Sequence, residues 1–482
     1  MSKAETEIRR AGLSPAKLAL LEKRLSIRTK VQEKAAGIPK RPAMDDIPLS
    51  YAMERVYRIC IAEGRPSYYN LIMRFKGLLD VDALEKAFNE LMRRHENLRS
   101  IFTTVEGRPV QRLVESPRIE LPVVDLTDLP IESREARVQE LAAEQVAEPF
   151  DLACWPLFRL KLVQVDQAEH VLLVMIAHMV CDLWSLDIVT REVTMLYDAF
   201  SQGRPSPLPE QHIQCSDFAV WQRDWLQGEQ LEKRRSFWTR RLEGRLPLVQ
   251  LPLTEPRPRL QTFRGNAESL AMPKELSDML EGLARSQGVT MYMALLAAFM
   301  TLIYRYTEQE DVIVGSATAG RDQVVTESVI GNFANLMPMR AKLNGNARFL
   351  DLMQQVREVT LGAYAHQDMP FLKLIEDLEP NGDPAYAPIV QICFTFNKTS
   401  SKSTKLMGLN IESQMIYIGR SAVDVTLTIL EAPHMLYATF EYNTDLFDET
   451  FIQGMLRDLQ TLLESIVTDP QQRLLELKWK HN

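Results

Sequence analysis

Several features are scarce or missing, and each absence closes off a class of function. Across 482 residues no apolar run approaches the roughly 20 needed to cross a bilayer; a stretch such as Val171 to Ala177 has the length of a buried strand. The charged N-terminus lacks the apolar core of a secretory signal. Cysteines number five and form no CxxC, which argues for reduced thiols in a cytoplasmic setting rather than a disulfide frame. Cys60, Cys154, Cys215 and Cys393 read as core or surface thiols. A net formal charge of -8, with no extended basic patch in the body, speaks against nucleic acid as a partner. The chain has no HExxH and no Cys/His cluster at ligand spacing, so no metal site is expected. It has no GxGxxG or Walker loop for nucleotides and no GxSxG elbow for a serine hydrolase.

What is present reads as globular, with 46% apolar and 25% charged residues. The length suggests two lobes of roughly 200 residues each, not one core. Residues 1–45 are rich in Lys and Arg, and the spacing predicts a helix over Ser14 to Arg24, with Ser14 as N-cap and Pro15 at the first position. A linker through Gly37, Pro39 and Pro42 follows. This segment is either a solvated tail or a helix that docks a preceding domain or partner.

From Ile47 the pattern is mixed. Leu84, Ala87, Phe88 and Leu91 mark one face of a helix over Val81 to Arg94. Strands are expected over Leu157 to Val165 and His170 to Ala177, then a helix over Trp184 to Phe200. That order places residues 178–183 at a strand end, where reactive groups tend to be exposed. Pro-rich Leu251 to Pro258 marks the lobe boundary within about twenty residues. The division adopted is 1–45 (helix and linker), 46–225 (N-terminal lobe) and 226–476 (C-terminal lobe). In the second half, helices are expected over Lys274 to Gln287, Met291 to Tyr306 and Glu449 to Ser465. Strands are expected over Asp311 to Ser316, Val390 to Phe396, Val425 to Thr428 and Leu436 to Tyr442. The fold class is α/β (α+β).

Of seven histidines, His434 and His481 look like turn and tail residues, and His170 and His212 have no partner pattern. His95 follows two arginines at a helix end, where a structural role fits. His178 stands directly after the apolar strand, with Asp182 four residues on. An imidazole there can reach a ligand while its other nitrogen is held, as acid/base work requires. On the residues alone, a satisfied core histidine fits equally well. Cys181 is a candidate thiol three residues away, although that is not an established dyad spacing.

Ala177 to Ser185 resembles the HHxxxDGxS core of condensation domains of nonribosomal peptide synthetases. Other elements of that family follow in order over about residues 47 to 470. Leu49–Tyr57 is similar to LSxAQxRLW, Arg94–Phe102 to RHExLRTxF, and Ser216–Gln222 to YxDYAVWQ. Val314-Gly315 with Ala319-Gly320-Arg321 resembles VIGxxxAGR. Ile330–Asn335 with Pro338 and Arg340 resembles IGxFVNTxxxR, His366–Phe371 is similar to HQDxPF, and Glu441–Phe447 completes the series.

The resemblance implies two lobes of chloramphenicol-acetyltransferase type set in a V around a central tunnel. It implies an acyltransferase that joins a carrier-bound acyl or peptidyl thioester to a carrier-bound aminoacyl amine. The 4'-phosphopantetheine arms would be those of partner donor and acceptor carrier proteins, with no cofactor attached to this chain, which has no LGGxS motif. An adjacent adenylation domain is a further possible partner, and no membrane is expected. His178 maps to the second motif histidine and would position the amine, with proton transfer open. Asn335 maps near the reacting centre, with oxyanion assistance as its implied role. Asp182 and Arg321 map to a supporting pair, and Trp184, Ser185 and Gly331 to the tunnel wall. His366 is expected to be structural.

The departures are Ala177 for the first histidine, Leu183 for the motif glycine and Met53 for the opening glutamine. Little of RDxSRNPL remains after Gly382. Ala177 also excludes a heterocyclisation-type DxxxxDxxS, and the second acid/base context of epimerisation domains is missing. Two alternatives stay open: an acyltransferase with a free small-molecule acceptor, and a degenerate domain that binds carriers and recruits other enzymes.

Overall fold

The computed structural model describes residues 37–64, 66–115, 117–379, 382–398, 404–406, 409–416, 419–433 and 435–480. The helix expected over Ser14 to Arg24, most of the 1–45 segment, His434 and His481 lie outside these residues.

The first half runs β1 (Ile47–Pro48), α1 (Tyr51–Glu63), β2 (Tyr68–Lys76), α2 (Val81–Arg94), β3 (Ser100–Val105), β4 (Arg108–Leu113), β5 (Val123–Asp125), α3 (Ile131–Ala147), β6 (Phe158–Asp166), β7 (Glu169–Ala177), α4 (Leu183–Phe200), α5 (Cys215–Trp225) and α6 (Gly228–Arg241). The second half runs β8 (Gly265–Pro273), α7 (Lys274–Ser286), α8 (Met291–Thr307), β9 (Asp311–Thr318), β10 (Asn335–Lys342), α9 (Phe349–Ala365), α10 (Phe371–Leu378), β11 (Ile392–Lys398), β12 (Thr404–Leu406), β13 (Leu409–Ile416), β14 (Val425–Glu431), β15 (Met435–Asn443) and α11 (Glu449–Thr468).

Two six-stranded sheets organise the molecule, in the orders β12-β13-β2-β7-β6-β5 and β10-β9-β11-β14-β15-β8; β1, β4 and β3 form a small third sheet. In the first sheet β7 lies between β2 and β6. Leu172, Val174 and Ile176 enter one core, while Val171 and Leu173 pack on Val138 and Leu141 of α3. Burial on both faces is why β7 reads as a continuous apolar run and not as an alternation. α2 starts where Asp80 accepts the Ala83 N–H at 2.9 Å, and it buries Leu84, Ala87, Phe88 and Leu91.

The second sheet alternates. Ile392, Phe394, Val425, Leu427 and Phe440 are buried in a core that includes α8, α9 and α11. Cys393, Thr395, Thr426, Thr428, Thr439 and Glu441 between them stay half-buried on the opposite face.

Two segments of the second half cross to the first core. β13 pairs antiparallel with β2, Ile411 opposite Phe75, and Val329, Ile330 and Phe333 pack among first-half residues. Burying Ile330 and Phe333 is worth about 1.5–3 kcal/mol each, so these crossings hold the halves together as well as shaping what lies between them. Among the described residues no single helix is long and apolar enough to cross a membrane.

Candidate active site

β7 ends at Ala177, and α4 begins at Leu183 with Asp182 as its N-cap. The loop between them carries His178. Its backbone N–H donates to Ser67 O at 2.8 Å, and its carbonyl accepts from Asn332 Nδ2 at 3.0 Å. The ring nitrogen Nδ1 lies 2.9 Å from Cys181 O. A carbonyl only accepts, so Nδ1 carries the hydrogen and Nε2 keeps its lone pair. Burial lowers the imidazole below the ordinary histidine value, and the nearby Arg55 cation adds to this against the raising effect of the Cys181 carbonyl. His178 is therefore neutral near pH 7. Cys181 is buried, its thiol is pushed well up by burial, and it donates to Asp182 O at 3.3 Å. Its carbonyl, not its sulfur, serves the histidine.

Asp182, Ser185, Arg321 and Gly331 meet in one closed cluster. Asp182 is 1% exposed, and Oδ1 accepts from Ser185 N at 2.8 Å and Arg321 NH2 at 3.0 Å. Its Oδ2 accepts from Phe333 N at 3.0 Å. The Ser185 hydroxyl lies 2.7 Å from Asp182 Oδ1 and 2.9 Å from Gly331 O; its one hydrogen serves one of these at a time. It also accepts from Gly331 N at 3.1 Å. The second guanidinium nitrogen of Arg321 donates to Thr326 O and to Val329 O, the latter at 2.7 Å.

Glycine is required at two places around this cluster. A Cβ on Gly320, at φ +63°, would meet Phe333 O at 1.9 Å, and one on Gly331 would meet Cys215 Sγ at 2.4 Å.

Two consecutive residues, Asn332 and Phe333, thus clamp the His178 loop, and the two before them anchor its surroundings. Ile330 N donates to His95 Nδ1 at 3.3 Å, Gly331 to Ser185, Asn332 to the His178 carbonyl, and Phe333 to Asp182. His95 in turn holds Glu192 through Nε2 at 3.0 Å. Sequence reasoning gave Asn332 no role, because its function depends on a crossing that no local pattern announces.

Two expectations need correction. Ser185 and Gly331 are buried inside the cluster and so cannot line an open tunnel; Trp184, 44% exposed, faces out and donates to Glu327 O at 3.1 Å. Both hydrogens of Asn335 Nδ2 are engaged, by Gln367 O at 2.9 Å and Met369 O at 2.6 Å, and its Oδ1 accepts from Phe371 N at 2.9 Å. No donor remains there for an oxyanion. Leu183 opens α4 and is not among the positive-φ residues, so its backbone has no need of the glycine that the family motif has. His366 lies flat on Phe237 at 3.8 Å, with Nδ1 3.0 Å from Gly362 O.

On the other side of His178 is Tyr69, edge to face at 4.9 Å. Beyond it stand Arg55 of α1, Cys393 of β11 and Glu441 of β15. Arg55 acts electrostatically on His178, Tyr69 and Cys393, and Glu441 on Tyr69 and Cys393. Burial lowers Arg55, raises Glu441, and pushes the Cys393 thiol up to about 12. Sequence reasoning quoted Arg55 and Glu441 inside motifs but assigned neither a task.

Comparisons with known proteins agree with this geometry. The family model described as "Condensation domain" matches residues 43–480. One of the large polypeptides of the linear gramicidin synthase of Brevibacillus parabrevis is 39% identical over 474 residues, covering 97% of this chain; the chain spans only 6% of that relative. Among solved structures, the X-domain in the complex of the X-domain and OxyB from teicoplanin biosynthesis superposes with a TM-score of 0.83 at 25% identity, covering 92% of this chain and 98% of that one. The first condensation domain of the calcium-dependent antibiotic synthetase, in complex with substrate analogue 3a, gives a TM-score of 0.76 at 20% identity, covering 90% and 99%. With the family model spanning nearly every described residue, this chain belongs to the condensation-domain family of nonribosomal peptide synthetases.

Proposed function

We propose that the chain forms an amide bond between an acyl or peptidyl thioester on one carrier protein and an aminoacyl group on another, at His178. The observation that carries this reading is the Nδ1–H to Cys181 carbonyl bond, which fixes the tautomer and leaves a neutral Nε2 with its lone pair. Nε2 accepts a hydrogen bond from the acceptor amine and aims the amine's lone pair at the thioester carbonyl carbon. The C–N bond forms, the C–S bond breaks, and the proton given up by nitrogen passes by way of His178 to the departing thiol. An α-amine with a pKa near roughly 8 is already partly neutral at about pH 7, so positioning, worth several kcal/mol for two tethered reactants, is the larger contribution.

The donor and acceptor 4'-phosphopantetheine arms bring both reactants in from partner carriers, in a reducing cytoplasm that suits five unpaired cysteines. Asp182 and Arg321 support the loop and do not touch the reactants. Asn335 holds the 367–371 turn.

Intact-protein mass spectrometry of a loaded acceptor carrier, mixed with this chain and a panel of loaded donors, tests the reading. A mass gain equal to the acyl group, lost with His178→Ala, is expected. A second reading, a domain that binds carriers and recruits another enzyme, draws on Ala177, a fully buried methyl where the family motif has an imidazole, and on the X-domain's complex with OxyB. No mass gain with any donor while carriers still bind would favour it over amide formation.

A further inference from the structure

The half-buried face of the second sheet is chemically unlike the rest of the interior. Strand pairing sets its residues in rows. Gly315, Cys393, Thr426 and Glu441 are lateral neighbours on β9, β11, β14 and β15. The next row along the strands is Thr395, Thr428, Thr439 and Ser269. In this second row every side chain bears a hydroxyl, and they bond in pairs: Thr395 to Thr428 at 2.9 Å and Ser269 to Thr439 at 2.8 Å. The first row abuts the reaction centre, because Cys393 and Glu441 share their enclosure with Tyr69, whose ring meets that of His178. A hydroxyl-bearing floor therefore leads away from His178, with one carboxylate at its head.

Among the described residues that carboxylate has no partner. No side chain or backbone group of theirs lies within hydrogen-bond or ion-pair distance of Glu441, and burial is the only influence acting on it. Arg55 stands in the same enclosure and also makes no ion pair; its guanidinium faces the Phe371 ring at 5.8 Å. Both groups act on Tyr69 and Cys393. Glu441 is half-buried and its oxygens are not among the fully buried, unsatisfied polar atoms, so an arriving cation can reach it and form a charge-assisted pair.

We propose that this face is a subsite for a substrate side chain that ends in an amine, with Glu441 as its specificity-determining residue and the threonine rows as its floor. The inference rests on the reading that aminoacyl groups enter on pantetheine arms. An ammonium beside Glu441 completes a charge-assisted pair in a secluded place, whereas an apolar chain of the same length leaves the carboxylate unpaired. The preference weakens as the pH is lowered, because protonating Glu441 removes the charge.

Equilibrium binding of lysyl- and norleucyl-pantetheine amides to the full chain tests this without requiring turnover. The lysyl amide is expected to bind about tenfold tighter or more, since a site built around a polar group rejects the analogue that lacks it. Glu441→Gln should bring the ratio close to one with norleucyl affinity unchanged, and Thr428→Val should weaken the lysyl amide alone by a few-fold. Equal wild-type affinities would overturn the proposal. So would a Glu441→Gln variant that weakens both amides alike, which assigns the carboxylate to the pantetheine arm common to them. Failure of the carrier mass-gain experiment would remove amide formation and leave these affinities as they are.

Discussion

Two groups of charges flank His178, and they are held in opposite ways. On one side Asp182 and Arg321 spend nearly all their hydrogen-bonding capacity on each other, on Ser185 and on the 326–333 backbone. On the other, Arg55 and Glu441 are half-buried and make no ion pair among the described residues. Apart from the buried Nε of Arg321, which has no partner among the described residues, the cluster's polar atoms are engaged within it, so its work is to fix the loop. Arg55 and Glu441 build no such network, although Arg55 faces the Phe371 ring at 5.8 Å, and the proposed subsite gives Glu441 its task.

The largest expected effect breaks the saturated side. Arg321→Ala strands Asp182 as a buried, unpaired carboxylate and should cost about 3–5 kcal/mol of stability, measured by urea unfolding. Asn335→Ala removes three hydrogen bonds from the 367–371 turn and should cost about 1–3 kcal/mol. Because the side chain has no free donor, the acyl-transfer rate of the protein that remains folded should change little. A loss of rate with stability intact would return Asn335 to the reacting centre.

A smaller effect concerns pH. Burial holds the His95 and His178 imidazoles below the ordinary histidine value of about 6.5. Near and below that value the unfolded chain takes up protons that the folded chain refuses. Their contribution to stability is therefore complete above about pH 6.5 and declines as the pH falls through it. His95→Ala should lose about 1–2 kcal/mol at pH 8, where it leaves Ile330 N–H without its acceptor, and should show a shallower decline toward pH 5. An unchanged slope would contradict a neutral His95 in the fold.

Much of this was legible in the sequence. Apolar spacing located α2 to the residue and β6, β7, α4, α7 and α8 to within one or two, because each has a side that faces a core and composition records that. The motif order identified the family, whose model matches residues 43–480. The crossing strand β13 escaped, since its partner β2 is more than 330 residues away and no local pattern names it. The roles of Asn332, Asn335 and Glu441 escaped for a related reason. Whether an amide is consumed, or a carboxylate is left alone, depends on which backbone groups fold up against it. Leu183 stands where the family motif has glycine, and the backbone there makes no demand that only glycine meets.

The most direct test of the contrast is a pair of urea unfolding midpoints, for Asp182→Asn and Glu441→Gln. Asp182→Asn should lower stability by about 3 kcal/mol or more, because it leaves Arg321 buried without its counter-charge. Glu441→Gln should leave stability unchanged or slightly higher near neutral pH, since no partner is lost and burial raises the pKa of the carboxyl it replaces. Comparable losses in the two variants would show that Glu441 serves the fold as Asp182 does, and the distinction between the two sides of His178 would fall.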